Sequence, residues 1–124
     1  MTIQDCYRKI GGDFAQLERR LPSAGLIKKF ITKFLADDSY ANLSVAMQAG
    51  NREEAFRAAH TLKGVSANLC LGKLLDSASR LTEVLRPESD AIPDGAVALF
   101  AEVSRDYQLT TDEIRAFLAA DCPL

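Results

Sequence analysis

NREEAFRAAHTLKGVSANL, residues 51–69, reads as one amphipathic helix and carries the only histidine of the chain, His60. Asn51 suits the N-cap, and Glu53 and Glu54 fall in the first turn, where the helix dipole favours acids. The helix is expected to run to about Leu69. At about 100° per residue, Ala55, Ala58, Leu62, Val65, Ser66 and Leu69 gather on one side, which is expected to face a core. Phe56, Arg57, Lys63, Gly64 and Ala67 lie within about 60° of His60 on the other side.

A lone histidine is more often a satisfied structural residue than a reactive one. Here the wheel reverses that prior, because His60 is set against the apolar stripe, on a face of basic and small residues. An imidazole with an unperturbed pKa of roughly 6.5 keeps a large neutral, nucleophilic fraction near neutral pH. Gly64 is a second anomaly, since glycine inside a helix costs about 1 kcal/mol relative to alanine. On an exposed face its use is to let another protein close over the imidazole, and Ala67 keeps the same strip low. Lys63 could neutralise an anionic group on the ring, and Arg57 could assist or be a plain surface charge. Phe56 belongs either to a docking surface or under the N-terminal helices. Ser66 points to the core side. Asn68 could hold the turn or reach back toward His60.

Outward from this helix, apolar residues recur at spacings of three and four, so the chain is expected to be all-α. Ile3, Cys6, Tyr7 and Ile10 mark a short helix stopped by Gly11-Gly12. Phe14, Leu17 and Leu21 mark a second, stopped at Pro22. Ser23 can cap a third, with a wide stripe of Leu26, Ile27, Phe30, Ile31, Phe34 and Leu35 that ends or bends at Asp37-Asp38-Ser39. Tyr40, Leu43, Ala46 and Met47 continue the pattern to Gly50. After a turn at Cys70-Leu71-Gly72, a helix through Leu74, Ala78, Leu81 and Leu85 ends at Pro87. A polar loop runs to Pro93, and a last helix from about Asp94 to Ala120 is expected to bury Val97, Phe100, Val103, Tyr107, Ile114 and Phe117. Long amphipathic helices with short connections predict an antiparallel up-and-down four-helix bundle, about 23–120, with accessory helices about 1–21.

The 124 residues fit one domain, and 48% apolar content suffices for one core. With 15 Lys plus Arg against 17 Asp plus Glu, the formal charge is −2, so a basic footprint for nucleic acid is missing. No apolar run approaches the roughly 20 residues of a membrane span, and Met1-Thr2-Ile3-Gln4-Asp5 does not resemble a signal peptide, so a cytoplasmic location is expected. Cys6, Cys70 and Cys122 are far apart and read as reduced thiols, two near helix ends, with no zinc or disulfide spacing. No phosphate-binding glycine loop is found, so no nucleotide site is expected.

HTLKGVSANL, residues 60–69, resembles the motif of histidine-containing phosphotransfer (HPt) domains of bacterial multistep phosphorelays, and the helical plan from Ser23 to Ala120 fits as well. The resemblance implies that His60 is phosphorylated, that Lys63 stands beside the phosphoryl group and that Gly64 admits the partner. It implies a phosphocarrier and not an enzyme, without a cofactor of its own, working with response-regulator receiver domains that hold Mg2+ and with a hybrid histidine kinase. A monomer is expected. Docking candidates are Phe56, Ala67 and Asn68, with Ile3, Tyr7, Ile10, Phe14 and Leu17 of the first helices, each of which could equally be a core or covering residue. The family usually has glycine two residues after the asparagine, where this chain has Cys70, followed by Gly72. Rival readings are a phosphorylatable domain of a chemotaxis-type kinase and a non-phosphorylated helical adaptor; a hydrolase lacks a nucleophile and orienting carboxylate on the His60 face.

Overall fold

A computed structural model describes residues 2–87 and 91–120. The described residues form α1 (Ile3–Lys9), α2 (Phe14–Arg20), α3 (Ala24–Leu35), α4 (Ser39–Ala49), α5 (Arg52–Asn68), α6 (Gly72–Val84) and α7 (Gly95–Ala119), with no strand among them.

Side-chain caps start several of these helices. Thr2 and Asp5 form a capping box on α1, and the Asp13 carboxylate accepts from the Gln16 amide at α2. Ser23 caps α3 and Asn51 caps α5, as their positions in the sequence predict. Gly50 ends α4 in the left-handed region at φ 70°, which glycine adopts without Cβ strain.

Packing follows chain order, α4 on α5, α5 on α6 and α6 on α7, with α1 and α3 also meeting α7. The core holds Leu43, Ala55, Leu62, Leu74, Ala78, Leu81, Val103, Ile114 and Phe117. Tyr40 stacks on Tyr107 with ring centroids 4.1 Å apart, and its hydroxyl donates to the Ser104 oxygen at 2.8 Å. No described helix is long and apolar enough to cross a membrane.

Three sequence expectations change. Val97 is 67% exposed and Ala96 is fully buried instead, while Phe100 and Tyr107 are only half-buried against the core. The buried seam of α7 runs through Ala96, Val103, Thr110 and Phe117, a seven-residue repeat that leaves Val97 about 100° off it. On α3 the stripe is narrower than expected: Ile27, Ile31 and Phe34 are buried, while Leu26 and Phe30 stand at the surface.

The third change concerns the N-terminal helices. Ile3, Tyr7, Ile10 and Leu17 are buried in the core, so their side chains present no docking surface. The α1–α2 corner is fastened to the turn after α5. The Tyr7 hydroxyl donates to the Leu69 carbonyl at 2.8 Å, the Lys73 amide to Ile10 at 3.1 Å and the Asp13 amide to Cys70 at 3.3 Å. A Cβ on Gly72 would overlap the Gly11 carbonyl, so only glycine permits this approach. Cys70 itself has φ 55°, in the left-handed region. That conformation explains why glycine suits the position, and here the cysteine holds it within the clamp. Cys6 and Cys70 are buried free thiols; Cys122 lies outside the described residues.

Candidate functional site

The histidine helix α5 is fixed by its buried side, where Ala55, Ala58, Ala59, Leu62 and Ser66 pack inward. The helical period then carries His60 to the surface, where it is exposed. Its imidazole lies against the Phe56 ring, centroids 6.0 Å apart, and among the described residues nothing hydrogen-bonds it. The neighbouring Thr61 hydroxyl donates back to the Arg57 carbonyl at 3.0 Å, so it is occupied within its own helix. Among the described residues neither ring nitrogen has a hydrogen-bond partner.

One turn on, Gly64 is exposed, and a Cβ built there would meet nothing within 4 Å. Among the described residues no packing demand accounts for glycine here, in contrast to Gly72. Lys63 is half-buried and makes no ion pair within 4.0 Å among the described residues. Its charge nonetheless reaches across to α6. The Glu83 carboxyl is held below the usual carboxylate range by the hydrogen bonds from Arg86, and then by the charges of Arg86 and Lys63.

Arg86 and Glu83 were missed by the sequence reading. The Arg86 guanidinium donates to both Glu83 oxygens, at 2.8 and 2.9 Å, while its Cζ stands 5.8 Å from the centroid of the Phe56 ring. The Phe56 ring thus lies within about 6 Å of both the imidazole and the guanidinium. It is half-buried in this position, at the end of α5 away from the N-terminal helices. Helical periodicity along α5 gives no access to a residue just beyond α6. Phe56, Arg57, His60, Thr61 and Arg86 line one shallow cleft.

Arg57 is a different kind of neighbour. It pairs with Glu53 at 2.9 Å and Glu54 at 3.0 Å, all three exposed, so the two acids of the first turn engage its charge. Such exposed pairs contribute little to stability, in the range of about 0.2–1 kcal/mol.

The remaining candidates scatter. Ala67 is half-buried, and its carbonyl accepts from Arg20 at 2.6 Å; Asn68 is exposed, and its carbonyl accepts from the same nitrogen at 3.4 Å. The Asn68 side chain makes no hydrogen bond among the described residues, so neither role expected of it, holding the turn or reaching toward His60, is seen. Phe14 is half-buried with its ring against Tyr7, centroids 5.6 Å apart. Tyr7 and Ile10 are removed from the site by burial. Among the described residues no cluster of His, Cys, Asp or Glu is placed to hold a metal ion.

An exposed nucleophilic ring, flanked by cations, suits group transfer to and from another macromolecule. Among the described residues the acids nearby are engaged with arginines, and none orients the imidazole as a general base. No curated protein and no solved structure matches the chain. A family model does: that of the Hpt domain matches residues 29–120, which span α4 to α7 and most of α3. With the histidine helix inside the matched region, the chain belongs to the Hpt-domain family, whose members are the histidine phosphocarriers of phosphorelays.

Proposed function

We propose that His60 is the phosphorylated residue of this phosphocarrier, taking its phosphoryl group from a receiver-domain aspartate and giving it to another. The observation that carries this reading is the exposure of His60 on the outer face of a helix whose opposite face is locked in the core. The family match supports it.

In the forward step the lone pair of one ring nitrogen, assigned here to Nε2, forms a bond to phosphorus in line with the leaving oxygen. The P–O bond to the aspartyl group breaks, and its electron pair leaves on the carboxylate. The ring proton stays on Nδ1, and reversal returns the phosphoryl group to a second aspartate. Transition states of this kind are stabilised mainly by positioning and charge neutralisation. Mg2+ belongs to the receiver in this scheme.

The chain works as one HPt domain, an antiparallel up-and-down four-helix bundle within residues 23–120 carrying accessory helices, and acts as a cytoplasmic monomer. Lys63 neutralises the phosphoryl group, Gly64 leaves room for the receiver, and Phe56, Ala67 and Asn68 lie on the docking face. A hybrid histidine kinase is the upstream partner, and response-regulator receivers are the direct ones.

The test is incubation with a phosphorylated cognate receiver. Acid-labile, base-stable label is expected on the wild-type protein and lost in His60→Gln. Undiminished label in that variant would refute the assignment.

A further inference from the structure

The two arginines that share the His60 cleft are not equivalent, because the described residues around them carry opposite net charge. Arg57 sits between Glu53 and Glu54, one cation with two carboxylates. Among the described residues Arg86 shares one carboxylate, Glu83, with the charge of Lys63, two cations with one acid. A phosphoryl group on His60 brings up to two negative charges and strong acceptor oxygens. It is repelled by the first group and attracted by the second.

We infer that Arg86, together with Lys63, is the cation that holds the phosphoryl group on His60, and that Glu83 is a displaceable counter-ion keeping Arg86 in place while His60 is bare. The inference rests on the phosphorylation of His60 proposed above. Phe56 is the platform for the exchange, since its ring lies within about 6 Å of both the imidazole and the guanidinium. Arg86 lies beyond the C-cap Leu85, so its side chain leaves from non-helical backbone. Its planar fork, now bidentate on a carboxylate, matches phosphoryl oxygens in the same way. No covalent step is added; one ion pair replaces another.

The experiment measures the equilibrium distribution of phosphoryl label between the intact protein and a cognate receiver. Arg86→Gln is expected to lower the fraction on His60, with a fall of about fivefold in the transfer equilibrium constant, the effect of losing one exposed charge-assisted contact. Arg86→Lys, which restores the charge but not the fork, should recover only part of it, and Arg57→Gln should lower it less than Arg86→Gln does. Arg80→Gln is the control on α6, since Arg80 pairs with Asp76 and Glu102. A second readout follows Glu83 by carboxyl NMR: its titration should move up toward the ordinary range when His60 is phosphorylated. An Arg86→Gln equilibrium constant within twofold of wild type, or a Glu83 titration unmoved by phosphorylation, would overturn the inference. Absence of any label on His60 would instead overturn the reading beneath it.

Discussion

The Tyr7 hydroxyl in α1 donates a 2.8 Å hydrogen bond to the backbone carbonyl of Leu69, the C-cap of the histidine helix, across 62 residues of sequence. Burial raises the pKa of this phenol above its ordinary value, so it remains a donor at any working pH. The bond ties an accessory helix to the end of the element that carries the reactive side chain.

Tyr7→Phe keeps the ring in place and leaves the Leu69 carbonyl short of a partner. A loss of about 1–2 kcal/mol is expected in urea unfolding, the usual cost of unpairing a buried polar group. A smaller change than 0.5 kcal/mol would show that the clamp does not depend on this bond.

Gly64, inside α5, and Gly72, at the start of α6, predict opposite outcomes. Gly72→Ala pushes a Cβ into the Gly11 backbone and should destabilise by about 2–3 kcal/mol, because backbone must move. Gly64→Ala meets open space and should stabilise by about 0.5–1 kcal/mol through helix propensity. Gly64→Leu should leave the fold intact yet slow phosphoryl transfer at least tenfold, since the open space serves the partner and not the core. Thermal unfolding alongside single-turnover transfer separates the two effects.

At Cys70 the backbone requires φ 55°. Glycine relieves that strain but loses a buried side chain, so Cys70→Gly is expected within about 1 kcal/mol of wild type. Cys70→Val combines the left-handed region with a β-branched side chain and should cost about 2 kcal/mol or more, read by chemical denaturation.

Burial pushes the Cys6 thiol up to about 11 from 9.0. The folded state keeps the proton while the unfolded chain loses it. The stability this group contributes is therefore complete below about pH 9 and declines as pH rises from there toward 11. Denaturation midpoints across pH 8–10.5 should fall more steeply for the wild type than for Cys6→Ala. Thiol alkylation at pH 8 should spare Cys6 until the protein unfolds.

Most of the fold was legible because its signals are local. Ser23 and Asn51 cap the helices their positions predict, Gly50 stops α4, and the alternation of faces on α5 sends Leu62 inward and His60 outward. What escaped depends on contacts between distant segments. Periodicity marks Tyr7 and Ile10 as apolar but cannot tell a docking face from a buried one, and only the clamp on the α5–α6 turn decides it. Arg86 lies 26 positions from His60 and reaches the site through the Phe56 ring, a relation that no helical wheel contains. The glycine usual at the Cys70 position belongs to the family resemblance; its physical reason, a positive φ, is visible only in the backbone.

The central claim is that His60 carries a phosphoryl group between receivers. Its most direct test is a chase: the protein is labelled by one phosphorylated receiver, repurified, and mixed with a second, unphosphorylated cognate receiver. The account predicts acid-labile label on His60 before mixing and base-labile label on the second receiver afterwards, with neither in His60→Gln. Label that never occupies His60, or that reaches the second receiver equally well through His60→Gln, would contradict it.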